Sequence, residues 1–369
     1  MIILATADTH LQIGGMFSRP KSDGLSTRAE VGLSFLEWFL KQPADLHLLA
    51  GDLFSQKNAI PVPLYNRVYD LFNHNCPTVL AIPGNHDQYL QSGDVHSLHA
   101  LQSGSFHVRT QGHDSQGDAE IHSFGAGTPP EKLPPRERAF RILMIHECLV
   151  GAAYPTGYIS RGGGYDADAI LSFMNSNDVD LCICGDIHLG QVMWRSKSKR
   201  GKHKTALQKI TKLQDGDVFP IGKIILIPGS PYQMDFGDEG NTKGIWEIDT
   251  DKRTAKFVEY PDSPLFTTLT DSDLAALSLV DFLPNAFIRF QVTDYVDEAR
   301  KLVKTNLKGR ALVEYKPHDR KETAFASSDV HKHRELVQSY AQQHAPDDRR
   351  KQYLSNGLNY YDSAKEVQE

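Results

Sequence analysis

Five short segments carry side chains able to hold metal ions: Asp8-Thr9-His10, Gly51-Asp52, Gly84-Asn85-His86-Asp87, His146 and Gly185-Asp186-Ile187-His188. Carboxylates, imidazoles and one amide oxygen make a mixed oxygen and nitrogen donor set without a thiolate. Such a set suits borderline divalent ions such as manganese, iron or zinc better than calcium. The donors are too many for one ion, and two ions need a bridge, which a carboxylate such as Asp52 supplies. Two metals roughly 3.5–4 Å apart hold a shared hydroxide as nucleophile and clamp phosphoryl oxygens. A polar histidine beside them stabilises the transition state or protonates the leaving oxygen. Hydrolysis of a phosphate ester is the chemistry this pattern points to. It needs no nucleophilic serine or cysteine, and the chain has no Gly-rich phosphate loop of the P-loop type. A lone Asp-x-His is ordinarily a capped loop, and Asn85-His86-Asp87 alone an Asx turn. The weight comes from the series.

The donors sit where apolar runs stop. Ile2 to Ala7 breaks at Asp8, Leu46 to Ala50 at Gly51-Asp52, and Thr78 to Ile82 at Pro83-Gly84. Phe140 to Ile145 ends at His146, and Leu181 to Cys184 at Gly185-Asp186; Ile224 to Ile227 is a further run. Between the first three, Leu25 to Lys41 and Pro61 to Asn73 have helical spacing of apolar residues. This rhythm predicts an α/β fold with parallel or mixed sheets, whose ligands gather beyond the carboxyl ends of the strands. Residues 111–120 and Thr128 to Pro135 read as surface loops. Past Pro261 the pattern changes: Phe287 to Val292, Val296 to Leu307 and Ala311 to Tyr315 predict a small β-α-β unit.

At 369 residues with 40 Lys+Arg against 46 Asp+Glu, the chain is long enough for two domains, and its net charge of -6 excludes a globally basic nucleic-acid coat. No run approaches the length of a membrane span, and the apolar start lacks the basic segment of a signal peptide. Four scattered cysteines without knuckle spacing point to reduced thiols and a cytoplasmic setting. Against the negative total stands one basic stretch. Arg195, Lys197, Lys199, Arg200, Lys202, Lys204, Lys209 and Lys212 follow one another with no acidic residue between the first and the last. Such runs are mostly solvated faces. This one leaves directly from the fifth motif and is expected near the metal crevice, where a phosphodiester backbone would dock. His74, His96, His99, His107, His113 and His122 read as surface or packing residues.

The motif series resembles the calcineurin-like metallophosphoesterase superfamily, and within it the SbcD branch of DNA repair nucleases. Gly51-Asp52-Leu53-Phe54 with Pro61 and Pro63, Gly84-Asn85-His86-Asp87, and Ile227-Pro228-Gly229-Ser230-Pro231 continuing through Asp235-Phe236-Gly237 to Gly244 carry the likeness. The superfamily's protein phosphatases have Asp-Arg-Gly after the second motif and Glu after the Asn-His pair; neither occurs here. The resemblance implies a four-layer αββα sandwich of mixed sheets over residues 1–262. It further implies a small α+β capping domain over 263–318, and a tail, 319–369, whose helix around Val330 to Gln343 would dock an ATPase.

By the same resemblance Asp8, His10, Asp52 and His188 surround one metal, and Asp52, Asn85, His146 and Asp186 the other. His86 is the catalytic histidine and Asp87 its orienting partner. The family usually has Gly-His-x-His where this chain has Gly-Asp-Ile-His, so Asp186 would be a harder ligand in an imidazole's place. The implied activity is DNA cleavage: 3′ to 5′ digestion from duplex ends and cutting of single strands. The implied cofactors are two divalent ions, manganese foremost, with magnesium, iron or zinc as alternatives. The implied partners are DNA, an SbcC-like coiled-coil ATPase and a second copy of the chain, with no membrane. Two rival readings remain: a phosphomonoesterase or cyclic-nucleotide phosphodiesterase on the same scaffold, and a non-catalytic DNA-binding or ATPase-docking scaffold.

Overall fold

The structure, a computed structural model, describes residues 1–315 apart from 75, 91–94, 197–205, 277–285, 306 and 308–309. The expected tail, 319–369 with its helix, therefore lies outside the described residues, as do Lys197, Lys199, Arg200, Lys202 and Lys204.

The chain opens with β1 (Ile2–Thr6), α1 (Thr27–Lys41), β2 (Leu46–Ala50), α2 (Val62–Asn73) and β3 (Val79–Ile82). Ser26 caps α1, its hydroxyl accepting from Ala29 N–H at 3.1 Å. Pro61 stands at the N-cap of α2, where the missing N–H costs nothing. Then come β4 (Phe106–Val108), β5 (Gln111–Gln116), β6 (Ala119–Phe124), β7 (Phe140–His146), the short β8 (Leu149–Val150) and β9 (Tyr165–Asp166), and α3 (Ala167–Ser176). The sandwich is completed by β10 (Leu181–Gly185), β11 (Gln191–Ser196), β12 (Ala206–Ile210), β13 (Val218–Pro220), β14 (Ile224–Ile227), β15 (Gly244–Asp249) and β16 (Thr254–Glu259).

Two seven-stranded mixed sheets result, ordered β13-β16-β15-β1-β2-β3-β4 and β12-β11-β14-β10-β7-β6-β5. Their inner faces pack on each other through Ile3, Ala5, Leu48, Ile142, Met144, Ile183, Trp246 and their neighbours. On the outer face of the first sheet, Leu33, Phe35 and Leu36 of α1 and Leu64 and Val68 of α2 bury against Leu4, Leu49 and Ala81. On the outer face of the second, Ile170, Leu171 and Met174 of α3 cover Leu143, Ile145, Cys182 and Cys184. The layers therefore run helix, sheet, sheet, helix. Both cysteines are wholly buried in that last interface, as packing rather than redox residues.

Residues 111–120 differ from the expected loop. They enter a β5–β6 hairpin paired from Gln111–Phe124 to Gln116–Ala119. The edge strand β5 is polar on both faces, so no apolar alternation betrays it.

After residue 262 the chain forms β17 (Leu265–Thr270), α4 (Asp271–Ala276), β18 (Ala286–Val292), α5 (Val296–Thr305) and β19 (Ala311–Tyr315). The three strands are parallel in the order β17-β18-β19 and have a cluster of their own around Ile288, Phe290, Val292 and Ala299. The expected β-α-β unit corresponds to β18-α5-β19, and β17 adds a strand that sequence reading did not mark. An aromatic seam joins this sheet to the sandwich: Phe17 stacks on Phe287 at 5.0 Å, and Arg289 lies over Phe236 at 4.5 Å. Among the described residues, no helix is long and apolar enough to cross a membrane.

Trp246 is fully buried between the two sheets, and its indole N–H has no hydrogen-bond partner among the described residues. Trp246→Ala is expected to lower unfolding free energy by roughly 3–5 kcal/mol. Trp246→Phe, which removes the unpaired N–H and keeps a ring, should cost less than about 1.5 kcal/mol. Urea denaturation of the two variants measures this, and equal losses would contradict the packing described.

Candidate metal centre

The candidate ligands stand where strands end on one side of the sandwich. Asp8, His10, Asp52 and Asp186 all have positive φ, at +54°, +47°, +55° and +90°. That backbone is strained for residues with a Cβ, and aspartate accepts it more readily than most. Backbone bonds continuing past the strands hold it. Asp8 N–H donates to Gly51 O at 3.0 Å, His10 N–H to Asp52 O at 3.0 Å, and Leu11 N–H to Leu53 O at 2.9 Å. Glycines leave the room the donors occupy. A Cβ on Gly84 would stand 2.0 Å from Asp52 Oδ1, one on Gly51 2.1 Å from His146 Nδ1, and one on Gly185 2.1 Å from Ala50 O. The glycine opening each of these motifs thus serves a residue of another.

Asp52 lies at the middle. Its Oδ2 is 3.5 Å from His10 Nε2 and 3.4 Å from His146 Nε2, and its Oδ1 accepts from His86 N–H at 2.8 Å. His10 Nε2 and His188 Nε2 are 3.0 Å apart. His146 donates through Nδ1 to the Ala50 carbonyl at 2.7 Å, and its Nε2 faces Asn85 Oδ1 at 3.0 Å. The carbonyl bond selects the tautomer that presents Nε2 to the cluster. Asp8 accepts from Asp186 N–H at 3.1 and 3.2 Å, and Asp186 Oδ1 is 4.0 Å from His146 Nε2. Ligand atoms of Asp8, His10 and His188 fall within 4.8 Å of one another, as do those of His10, Asp52 and His86, and those of Asp8, Asp52 and His146.

Without cations this gathering of charge is costly. Burial, with Asp52 and Asp186 adding to it, pushes the Asp8 carboxyl up to about 8 against the charge of His146. Burial lowers His10 to about 3, and lowers His188 with help from the Lys243 ammonium. Burial also opposes the Asp52 carboxylate, yet His146 and His10 hold it down to about 2. The same pairing raises His146 well above its ordinary value in spite of burial. Asp186 is raised by burial. Divalent ions would take the place of the shared protons and leave ionised carboxylates and neutral imidazoles, the forms that ligate. The donor set therefore fits metal. Asp8, His10, Asp52 and His188 would hold one ion, and Asp52, Asn85, His146 and Asp186 a second.

His86 is exposed at the rim. Its ring meets His10 edge-on at 4.9 Å, and its Nδ1 donates to Ser55 O at 2.9 Å. Its orienting contact is thus Ser55, where sequence reading expected Asp87. The buried Asp87 carboxylate instead accepts from Gly84 N–H (3.0 Å), Leu53 N–H (3.2 Å) and Phe54 N–H (3.1 Å), which ties the third motif to the second.

Arg195 also departs from expectation. From Gln191, β11 runs antiparallel to β14 and so leads away from the ligand end. At about 3.3 Å per residue, Arg195 lies roughly 13 Å along it. Its guanidinium bonds Asp168 Oδ1 at 3.1 Å, Asp168 O at 2.7 Å and Ser172 Oγ at 3.1 Å, all on α3. It braces a helix and does not enter the crevice.

Sequence reading passed over Lys243, Asp238 and Tyr232. The buried Lys243 ammonium donates to His188 O at 2.8 Å, Ser230 Oγ at 2.7 Å and Asp238 Oδ1 at 2.5 Å. The Tyr232 hydroxyl donates to the Thr9 carbonyl. Segment 230–243 thereby clamps the backbones of the first and fifth motifs. A lone lysine before a strand carries no pattern; only its burial distinguishes it.

Because the added Cβ would displace Asp52, Gly84→Ala is expected to leave the sandwich folded while weakening metal binding at least about tenfold. Elemental analysis after dialysis, alongside circular dichroism, checks it, and undiminished metal in the variant would contradict the crowding at Asp52.

Among solved structures, the chain is similar to a metallophosphoesterase from Sphaerobacter thermophilus at 16% identity, covering 70% of this chain and 88% of that one, with a TM-score of 0.36. It is similar to an archaeal phosphodiesterase at 11% identity, covering 70% of this chain and 100% of that one, with a TM-score of 0.34. A purple acid phosphatase from yellow lupin gives 11% identity, 70% and 54% coverage, and a TM-score of 0.41. Likeness at scores this low says nothing of activity or substrate. No curated protein matches the chain. Residues 1–190, just over half of the 369, do match the family model described as calcineurin-like phosphoesterase. That span takes in all five ligand-bearing segments, and the chain belongs to the calcineurin-like phosphoesterase family of metal-dependent phosphoester hydrolases, which use two divalent ions.

Proposed function

We propose that the chain is a manganese-dependent DNA phosphodiesterase, the nuclease subunit of an SbcD-like repair assembly. The observation that carries this reading is a cleft of about 440 Å³ directly beside His188, lined by Tyr154, Thr156, Tyr158 and Asp235 among others. The Tyr154 and Tyr158 rings are 5.9 Å apart, and Tyr158 is exposed. Aromatic faces next to a phosphoester-cleaving centre suit a nucleobase attached to the scissile phosphate, since stacking tolerates any base. The three-stranded C-terminal sheet approaches the same region through Phe266, which meets Phe236 edge-on at 5.2 Å next to the cleft residue Asp235, and a cap over residues 263–318 that positions substrate is part of this reading.

Bound metals supply Lewis acidity and a water-derived nucleophile. The protein's own groups do the rest. His86 keeps one proton on Nδ1 through Ser55, so a second proton on Nε2 is the one available to the leaving oxygen. Asp87 and Lys243 hold the motif backbones still while charge develops. An SbcC-like ATPase, a two-fold dimer, 3′ to 5′ polarity and the cutting of single strands belong to this proposal on the strength of the motif resemblance.

The rival reading, a phosphomonoesterase or cyclic-nucleotide phosphodiesterase, gains from Arg195, which leaves the crevice less basic than expected. One set of assays separates them: labelled duplex and single-stranded DNA against p-nitrophenyl phosphate, with manganese. The expected result is DNA cleavage that falls at least about a hundredfold in Asp52→Ala and about 10²–10⁴-fold in His86→Ala. Tyr158→Ala should weaken DNA binding about five- to a hundredfold and leave the small ester untouched. Hydrolysis of the small ester with DNA intact would overturn the nuclease reading. DNA binding without metal-stimulated hydrolysis would favour the scaffold.

A further inference from the structure

Away from the metal centre, a ring nitrogen from each of His113 and His122 and a carboxylate oxygen of Glu120 lie within 4.8 Å of one another. The register of the β5–β6 hairpin brings them together. His113 stands opposite His122, and Ser115 opposite Glu120. Side chains two apart share a sheet face, so Glu120 and His122 lie with Phe124 on the outer, α3-facing side of the second sheet.

The two rings stack at 4.7 Å with 16° between their planes. Packing accounts for the stack but not for His122. That residue is 3% exposed, and its Nε2 has no hydrogen-bond partner among the described residues. Buried polar atoms are nearly always paired, and an exception asks for a missing ligand. Burial, with His113 and Arg141 beside it, pushes His122 down to about 4, so the imidazole is neutral.

Glu120 has capacity left. One oxygen is bound by the Arg141 guanidinium, and the other accepts from Glu137 N–H at 3.2 Å and lies 3.8 Å from His113 Nε2. The His113 side chain is 37% exposed on the edge strand, which gives an ion a way in and a place for water.

We infer that the β5–β6 hairpin carries a separate site for a borderline divalent ion of the zinc type, held by His113, His122 and Glu120. Two imidazoles and one carboxylate with an open fourth position are a zinc donor set. Arg141 already offsets the charge of Glu120, so hard ions such as manganese gain more in the carboxylate-rich centre than here. A bound ion would clip edge strand β5 to β6 and, with Nε2 as the His122 donor, would satisfy the orphaned nitrogen. The inference rests on the hairpin alone and is independent of the substrate proposed above.

The test uses the full chain, stripped with chelator, loaded with zinc and freed of excess metal. Bound zinc is counted by elemental analysis, and affinity is measured by calorimetric titration, in wild type, His113→Ala and Asp52→Ala. His113→Ala is expected to lose one zinc per chain, or to bind it at least about tenfold more weakly, with manganese-dependent phosphoester hydrolysis unchanged. Asp52→Ala is expected to keep the zinc that His113→Ala loses. Equal zinc content and affinity in wild type and His113→Ala, with His113→Ala folded by circular dichroism, would overturn the site. So would loss of all zinc in Asp52→Ala.

Discussion

The arrangement of this molecule depends on holding three carboxylates and three imidazoles together out of water. Asp8, Asp52, Asp186, His10, His146 and His188 meet in a space where burial, together with the neighbouring charges, pushes Asp8 up to about 8 and His10 down to about 3. In water such groups would repel and disperse. Here each is fixed to the end of a strand whose other residues are locked into a sheet, so the repulsion cannot be relieved by moving apart. The left-handed backbone at Asp8, His10, Asp52 and Asp186 belongs to the same constraint. Strain of order 1–3 kcal/mol at each such residue persists only where surrounding structure over-determines it. Divalent ions are what convert this collection from a liability into a site.

Over-determination comes from the sandwich. The candidate ligands Asp8, His10, Asp52 and Asn85 follow strands of one sheet, while His146 ends a strand of the other and Asp186 and His188 follow one, so the inter-sheet core sets the distance across the centre. Three tethers then fix the loops. Asp87 ties the third motif to the second, Tyr232 holds Thr9, and Lys243 holds His188 through its carbonyl. Lys243 and Asp238 form a buried pair at 2.5 Å, and both charges also bond neighbouring polar groups, the condition under which burying an ion pair is tolerable.

Much of this was legible in the sequence for a definite reason. Strands ending in Asp, Asn or His announce themselves because an apolar run stops abruptly at a polar residue, and five such stops contain every residue of the carboxylate and imidazole cluster that the fold gathers. The helices α1 and α2 were legible from their apolar stripes. What escaped was structure whose stabilisation is not periodic. Strand β5 is polar on both faces, and in β6 Glu120, His122 and Ser123 are buried despite their polarity. Lys243 owes its role to where the chain returns after residue 230. The direction of β11 escaped as well, because nearness in sequence to His188 says nothing about which way a strand then runs. Its antiparallel pairing with β14 decides that, and Arg195 accordingly finds α3.

The backbone at Asp186, where the resembled motif has histidine, belongs to the same constraint. The residue sits at φ +90°, a conformation uncommon for residues with a Cβ, and aspartate, like the histidine at position 10, is among those that accept positive φ more readily. Its N–H is already committed to the Asp8 carboxylate, so the backbone contributes to the centre whatever the side chain does. The carboxylate, a quarter exposed and 4.0 Å from His146 Nε2, is near enough to His146 to share an ion with it. As a ligand it adds one negative charge to a set already containing Asp8 and Asp52. That charge would deepen the well for a hard cation and lessen the electron demand a bound ion makes on a phosphoryl oxygen. On the proposed reading the substitution would trade Lewis acidity for retention, and more of the transition-state stabilisation would then fall to His86 at the rim.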